Sequence, residues 1–407
     1  MPLSALVSPD RVHVDNVDYF REVYRLGSKY YKDPDYYPRG GGVENSIIML
    51  IDPEVHKDRY AVVKPLFSAK GVEPLAPVAL KNMSRLMEKM KVSFEKGSPV
   101  DMTRLIRLLT IDTIMVLLFD KNMNLLESEE EEPQFAGTMK MFADNFLVMK
   151  HFPILARLSV MMPESLADKL VPGYVPFRKQ SSKWIHDIEN RQKHDNLDAV
   201  EGGRSTYFDL LLSANKSRGY RAFSEEVLVD EALAMCFAGT DTTSFALSLG
   251  TYHLLSNPSK LKILREELDA VPVNANGMLE YRDVRNLPYL TAIIKEILRI
   301  SPPVPGIIPR RVPAGGSTVA GYYLAPGTTV SSSIGMITHD PALFSEPDTF
   351  LPERCVAFLE FYVCFANLFR RFNMSLYKTN ETTVQWKESA AARLCNNVKV
   401  TVDSLRE

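Results

Sequence analysis

One stretch of this 407-residue chain carries side chains that a purely structural helix has no use for. Ala238-Gly239-Thr240-Asp241-Thr242-Thr243 sets a carboxylate among hydroxyls, beside a glycine that costs about 1 kcal/mol against alanine inside a helix. The group could open the helix locally and offer a hydroxyl and a carboxylate to something bound beside it. The same residues can also form a polar kink, with threonine hydroxyls bonding back to the preceding turn. Glu296 and Arg299 stand at i, i+3 on one helix and can meet. Pro352-Glu353-Arg354 offers a second guanidinium, which would turn an ordinary ion pair into a charge-assisted network. Directly after it stands Cys355, open to three readings: a metal-ligating thiolate, a packed thiol, or the junction left by a missing segment.

These residues need elements to hold them. Ser224 is a hydroxyl N-cap, Glu225 and Glu226 suit the helix dipole, and Asn257-Pro258 stops the helix that the 238–243 group interrupts. Leu290, Ile293, Ile294, Ile297 and Leu298 mark the buried face of the helix that bears Glu296 and Arg299. Residues 83–94 and 102–119 also read as helices, the second more apolar. Residues 127–132, ESEEEE, read as a solvated acidic loop closed by Pro133, and residues 195–204 as a surface loop.

From Pro302 the sequence turns rich in Pro, Gly and β-branched residues, which predicts short strands with tight turns. A helix over 357–371 and a β-leaning tail follow. The fold class expected is mainly α with a small β region (α+β), in one domain over 1–407. Its parts are a helical body over about 1–300, a β-rich segment over about 302–335, and a C-terminal helix and tail over about 357–407.

Bulk properties narrow the function. A hydrophobic content of 45% is ample for a large core, and a formal charge of −2 without a basic patch argues against nucleic acid as a partner. The seven histidines are scattered, which disfavours a zinc site. Four cysteines are too few for a disulfide framework in a chain of this length and fit a reducing compartment. The first twenty residues lack a basic segment followed by an apolar one, and no run of about 18 apolar residues occurs.

Taken in order, Phe237 to Thr243, Lys295-Glu296-Ile297-Leu298-Arg299 and Pro352-Glu353-Arg354 resemble the haem-thiolate monooxygenases of the cytochrome P450 family. Residues 315–354 are similar to that family's sheet and following loop. The resemblance is to the fungal microsomal branch that oxidises terpenoids, polyketides and related secondary metabolites, and runs from about Val12 to the C-terminus. It implies heme b with its iron as cofactor, insertion of one atom of dioxygen into an apolar small molecule, and electrons from an NADPH-cytochrome reductase. It further implies a monomer from a family anchored in the endoplasmic-reticulum membrane. Lacking an anchor, this chain would be cytoplasmic or peripheral.

Residue by residue, Thr242 matches the threonine that helps deliver protons to iron-bound dioxygen, and Asp241 its acidic neighbour. Gly239 would let a ligand approach the backbone closely. Glu296, Arg299 and Arg354 match a structural lock behind the proximal side of the haem. Arg310 and His56 match positions that contact a haem propionate. Four residues past His56 the family has a second basic residue, where this chain has Tyr60 with Arg59 one place earlier. An exposed His and Arg on a surface helix is the plainer reading of that pair.

The resemblance also implies a loop, F-x-x-G-x-R-x-C-x-G, whose cysteine thiolate binds the iron. Here only Cys355 and Val356 stand between Arg354 and Ala357. Cys355 is the only candidate metal ligand, yet it precedes the helix alanine by two positions where the family has about six. Four residues of helix are roughly 6 Å, which an iron–sulfur bond cannot absorb. Pro-Glu-Arg-Cys therefore reads as a deletion junction. The alternative to a working monooxygenase is a catalytically inactive, truncated or mis-spliced relative.

Overall fold

The computed structural model describes residues 3–25, 27–193, 205–217, 223–319, 321–352, 359–389 and 391–406. Its helices run in two groups. The first comprises α1 (Val17–Tyr24), α2 (Pro53–Val63), α3 (Ala69–Val72), α4 (Ala76–Glu95), α5 (Met102–Phe119), α6 (Gln134–His151), α7 (Pro153–Ser159), α8 (Glu164–Leu170) and α9 (Tyr174–Lys193). The second comprises α10 (Tyr207–Ser217), α11 (Glu225–Leu255), α12 (Pro258–Asp269), α13 (Tyr281–Val284), α14 (Pro288–Ile300), α15 (Ile334–Thr338) and α16 (Leu359–Arg371).

Four small sheets flank the helices. Strands β1 (Leu3–Ser8), β2 (Arg11–Asp15), β3 (Tyr31–Lys32), β5 (Arg310–Arg311) and β8 (Thr329–Ser331) form one sheet in the order β1-β2-β8-β5-β3. β4 (Val100–Asp101), β12 (Lys399–Leu405) and β9 (Phe372–Leu376) form a second. β6 (Ser317–Val319) pairs with β7 (Tyr322–Leu324), and β10 (Trp386–Ser389) with β11 (Ala391–Leu394). The result is the mainly α arrangement with small β regions that the sequence predicts.

α11 organises the core. Its cap is the expected one: the Ser224 hydroxyl accepts a bond from the Val227 amide at 3.4 Å, and Glu225 and Glu226 fill the first turn. α5 lies along it, apolar on nearly every side, and a helix of that kind has to be interior. Two glycines set how closely its neighbours approach. A Cβ on Gly239 would come within 2.6 Å of Ile114 on α5. A Cβ on Gly250 would come within 2.5 Å of both Ile297 on α14 and Phe365 on α16.

One expectation changes and another is extended. The first 32 residues, read as part of the helical body, supply three strands, and β2 lies parallel to β8 from the far side of the chain. Short strands with partners that distant leave little local pattern. The acidic run is exposed, as read, but it is also paired. Glu127 pairs with Arg85 at 2.5 Å, Glu129 with Lys89 at 3.6 Å and Glu132 with Arg107 at 3.5 Å, while Arg104 bonds the carbonyls of Glu130 and Glu131. Basic residues spaced along α4 and α5 make the run a tether. The predicted surface loop at 195–204 lies outside the described residues.

Close packing at Gly250 gives a paired expectation. Gly250→Ala should destabilise by about 1–3 kcal/mol, because Ile297 and Phe365 must both shift. Gly137→Ala on α6, where the nearest atom is 3.4 Å away on the side chain of Glu132, should instead stabilise by about 0.5–1 kcal/mol. Urea denaturation of the two variants should show opposite signs.

Candidate active site

Between Leu228 and Tyr252 the only residues of α11 that are not buried are Met235, Phe237, Ala238, Gly239, Thr242 and Thr243. Met235, Ala238, Gly239 and Thr242 fall at i, i+3, i+4, i+7, so they make one stripe. An otherwise interior helix thus opens on a single face, at the group that interrupts its apolar pattern. The Thr242 hydroxyl lies on this face and donates to the Ala238 carbonyl at 2.6 Å. Phe237, on the opposite side of the helix from this stripe, stacks on Phe146 of α6 at 5.6 Å. Gly239 has a different neighbour from the one the sequence reading gives it. The room left by its missing side chain is taken by Ile114, so close packing of α5 on α11 requires the glycine.

Asp241 points elsewhere. Its carboxylate, 6% exposed, is held by Arg393 of β11 at 2.6 Å and by Arg107 of α5 at 3.5 Å. Arg393 also pairs with Asp144 on α6. A polar cleft of about 390 Å³ reaches this carboxylate from solvent. The acid next to Thr242 in sequence therefore has its own route to water.

The strongest electrostatic feature is a cluster of cations. β3 and β5 pair so that Lys32 and Arg310 stand directly opposite each other. Like charges in that position are destabilising. Both face the ring of Tyr37, at 5.3 and 5.5 Å from its centroid, and Arg310 donates to the Tyr37 hydroxyl at 2.6 Å. Among the described residues neither forms an ion pair. Burial, aided by the charge of Arg310, pushes the Lys32 ammonium down to about 8. His56, half-buried on α2, is held below its ordinary value by burial and by the charges of Lys32, Arg59 and Arg310.

The structure thus brings His56 and Arg310 together and adds Lys32, which the sequence reading missed. The only local signal was a lysine among tyrosines, because its partner lies on a strand far along the chain. The plainer reading of His56 and Arg59 as an exposed pair is corrected. Arg59 is buried and bonds Glu231 of α11 at 3.1 Å and the Asn45 carbonyl at 2.8 Å.

Glu296 and Arg299 are both buried and joined by two bonds, of 2.8 and 2.7 Å. Arg299 also donates to the carbonyls of Thr338, Pro347 and Thr349, and Glu296 accepts from the Leu351 amide at 2.6 Å. The pair ties α14 to the segment leading to Pro352. Arg354 and Cys355 lie outside the described residues, so the third lock residue and the candidate ligand have no position here. Cys236 and Cys364 are buried, and burial pushes both thiols up, which leaves them protonated packing groups.

An open helix face bearing a hydroxyl, a cation cluster and a carboxylate–guanidinium lock occur here in one fold. Residues 5–360 match the sequence profile of cytochrome P450. The chain belongs to the cytochrome P450 family. Cytochrome P450 monooxygenase BOT1 of Botryotinia fuckeliana is 43% identical over 98% of this chain and 82% of its own length. Cytochrome P450 monooxygenase aneF of Aspergillus aculeatus is 30% identical over 97% of this chain and 85% of its own length. Cytochrome P450 monooxygenase ankB of Aspergillus thermomutatus is 32% identical over 98% and 81%. The family is one of oxidoreductases with haem iron as cofactor. The match to BOT1 extends over 424 positions against 407 residues in this chain, so that relative holds residues within the matched region that have no counterpart here.

The expected localisation is corrected. The resemblance led to a family anchored in the endoplasmic reticulum and to a cytoplasmic or peripheral chain. What is found is that, among the described residues, no helix is long and apolar enough to cross a membrane.

The lock yields a direct expectation. Glu296→Ala leaves the Arg299 guanidinium buried without its carboxylate and should destabilise the protein by about 3–5 kcal/mol in urea denaturation. A change under 1 kcal/mol would mean that the three carbonyls alone satisfy Arg299.

Proposed function

We propose that this chain carries the site of a haem-dependent monooxygenase that acts on an apolar small molecule of the terpenoid or polyketide type, with electrons from an NADPH-cytochrome reductase. The observation that carries the reading is the cation cluster. Lys32 and Arg310 face each other with His56 beside them, and no carboxylate of the described residues pairs with either strand cation. Haem has two carboxylates, and a cluster of this kind is what two acid groups need.

Within this reading Arg310 and His56 would hold the acid groups, and the open face of α11 would be turned to the bound cofactor. When bound, the iron would supply activation of dioxygen. Thr242 keeps a proton at its hydroxyl oxygen, parked on the Ala238 carbonyl. Asp241 stays a paired carboxylate on the cleft side of the helix, held by Arg393 and Arg107. Glu296 and Arg299 do no chemistry; they fix the segment before Pro352. Met235, Ala238 and Gly239 make the stripe around Thr242 largely apolar, which suits an apolar substrate. One core cluster running from Val43 to Val402 supports reading the chain as a single domain.

A second reading is favoured by one specific observation. The sequence between Arg354 and Ala357 is too short for the ligand loop, and the aligned relative is longer within the match. On that reading the chain as it stands is a catalytically inactive relative that keeps the acid-binding end of the site.

The shared part of both readings is tested by haem titration followed by absorbance. Arg310→Gln removes a charge-assisted bond to a carboxylate and should weaken uptake about tenfold. Equal uptake by the variant and the parent protein would remove the cation cluster from the account. The readings separate on turnover. Only the first predicts that the haem-loaded protein, given NADPH and a fungal reductase, oxygenates a terpenoid or polyketide.

A further inference from the structure

Lys32 does two things at once. Its ammonium faces Arg310 and Tyr37 in the cation cluster, and it also donates to the carbonyl of Ile48 at 2.7 Å and, more weakly, to that of Ile47 at 3.4 Å. Those carbonyls belong to residues 43–50, a segment without regular structure of its own. The other side of the segment is held by α11. The Asn45 amide and side chain bond Asp230 at 3.1 and 2.8 Å, and the Ile47 amide bonds Glu231 at 2.7 Å. Glu231 lies one turn before Met235 on the same stripe of the helix. Residues 43–50 therefore border the open face of α11, with Lys32 as their outer fastening.

An ammonium has three donors. Two are on the segment's carbonyls, and the Tyr37 ring stands on a third side. A carboxylate arriving at Arg310 and His56 offers a charge-assisted bond about twice as strong as a carbonyl bond. Lys32 gains it at the expense of the carbonyls, the long bond to Ile47 first.

Resting on the reading of the cluster as a site for acid groups, we propose that Lys32 is its third cation. It reaches the bound acid by releasing Ile47 and Ile48, so that filling the cation site loosens the segment bordering the open face of α11. Occupancy at the acid end would thereby ease access for an apolar substrate at the other.

The test uses the whole chain and metal-free protoporphyrin, which has the two carboxylates but places no demand on an iron ligand. Its dimethyl ester, with the same ring and no charge, is the control. Binding is followed by the porphyrin absorbance, and the segment by hydrogen exchange at the amides of Ile47, Met49 and Leu50. The free acid should bind and accelerate exchange at these amides about tenfold. The ester should leave their exchange unchanged. Lys32→Met should exchange fast there before any addition and show no further change with the free acid. Binding of the free acid with exchange unaltered would overturn the handover by Lys32 and leave the acid site standing. Acceleration by the ester to the same extent would also overturn the handover, since charge would then be irrelevant. No binding of the free acid would overturn the acid site itself, and the handover with it.

Discussion

Two positive charges placed opposite each other on adjacent strands set the terms for much of this molecule. Lys32 and Arg310 are cross-strand partners, and the register of β3 and β5 leaves them no way apart. Like charges directly opposite each other destabilise a sheet. The surroundings soften the repulsion without cancelling it. Tyr24 and Tyr37 turn ring faces to Arg310 at 5.2 and 5.5 Å, and backbone carbonyls take the Lys32 ammonium. His56 joins from α2 and stays below its ordinary pKa because burial, and after it the neighbouring cations, oppose its protonation. An arriving acid group would relieve all three at once.

The helical core makes that position useful. α11 can run close to α5, α14 and α16 because Gly239 and Gly250 let the neighbouring side chains in. The same helix is anchored at its N-terminal half by buried carboxylates. Asp230 takes Arg178 at 2.5 Å, and Glu231 takes Arg59 and the Tyr207 hydroxyl, the latter at 2.5 Å. Buried charges are tolerable only when paired and hydrogen-bonded, as these are. On the far side Glu296 and Arg299 fix the segment that ends at Pro352. The open stripe of α11 is thus framed by rigid elements, and Lys32 joins the frame to the cation cluster.

Much of this was legible in the sequence. Ser224 and Asn257-Pro258 bound a helix that the structure ends at Glu225 and Leu255, and residues 102–119 form α5 as read. The apolar spacing around Glu296 and Arg299 placed them on one helix, where they meet. What escaped depends on contacts far apart in the chain. Tyr37 and Arg310 bond across 273 positions, and nothing near either residue announces the other. The partners of the exposed acidic run escaped because Arg85, Lys89, Arg104 and Arg107 come from two other helices. Gly239 looked like an opening for a ligand because its neighbour, Ile114, is set by packing and not by local pattern.

Both readings of this cytochrome P450 share the cation cluster and the open face of α11, and they part on the thiolate, because the sequence between Arg354 and Ala357 is too short for the loop that would deliver it to iron. The most direct measurement is the absorption spectrum of the whole chain loaded with haem, reduced and exposed to carbon monoxide. With the loop too short, haem should bind with a Soret band that lacks the strong red shift of a thiolate complex. A strongly red-shifted band, abolished by Cys355→Ser, would contradict it and make Cys355 the ligand despite its spacing.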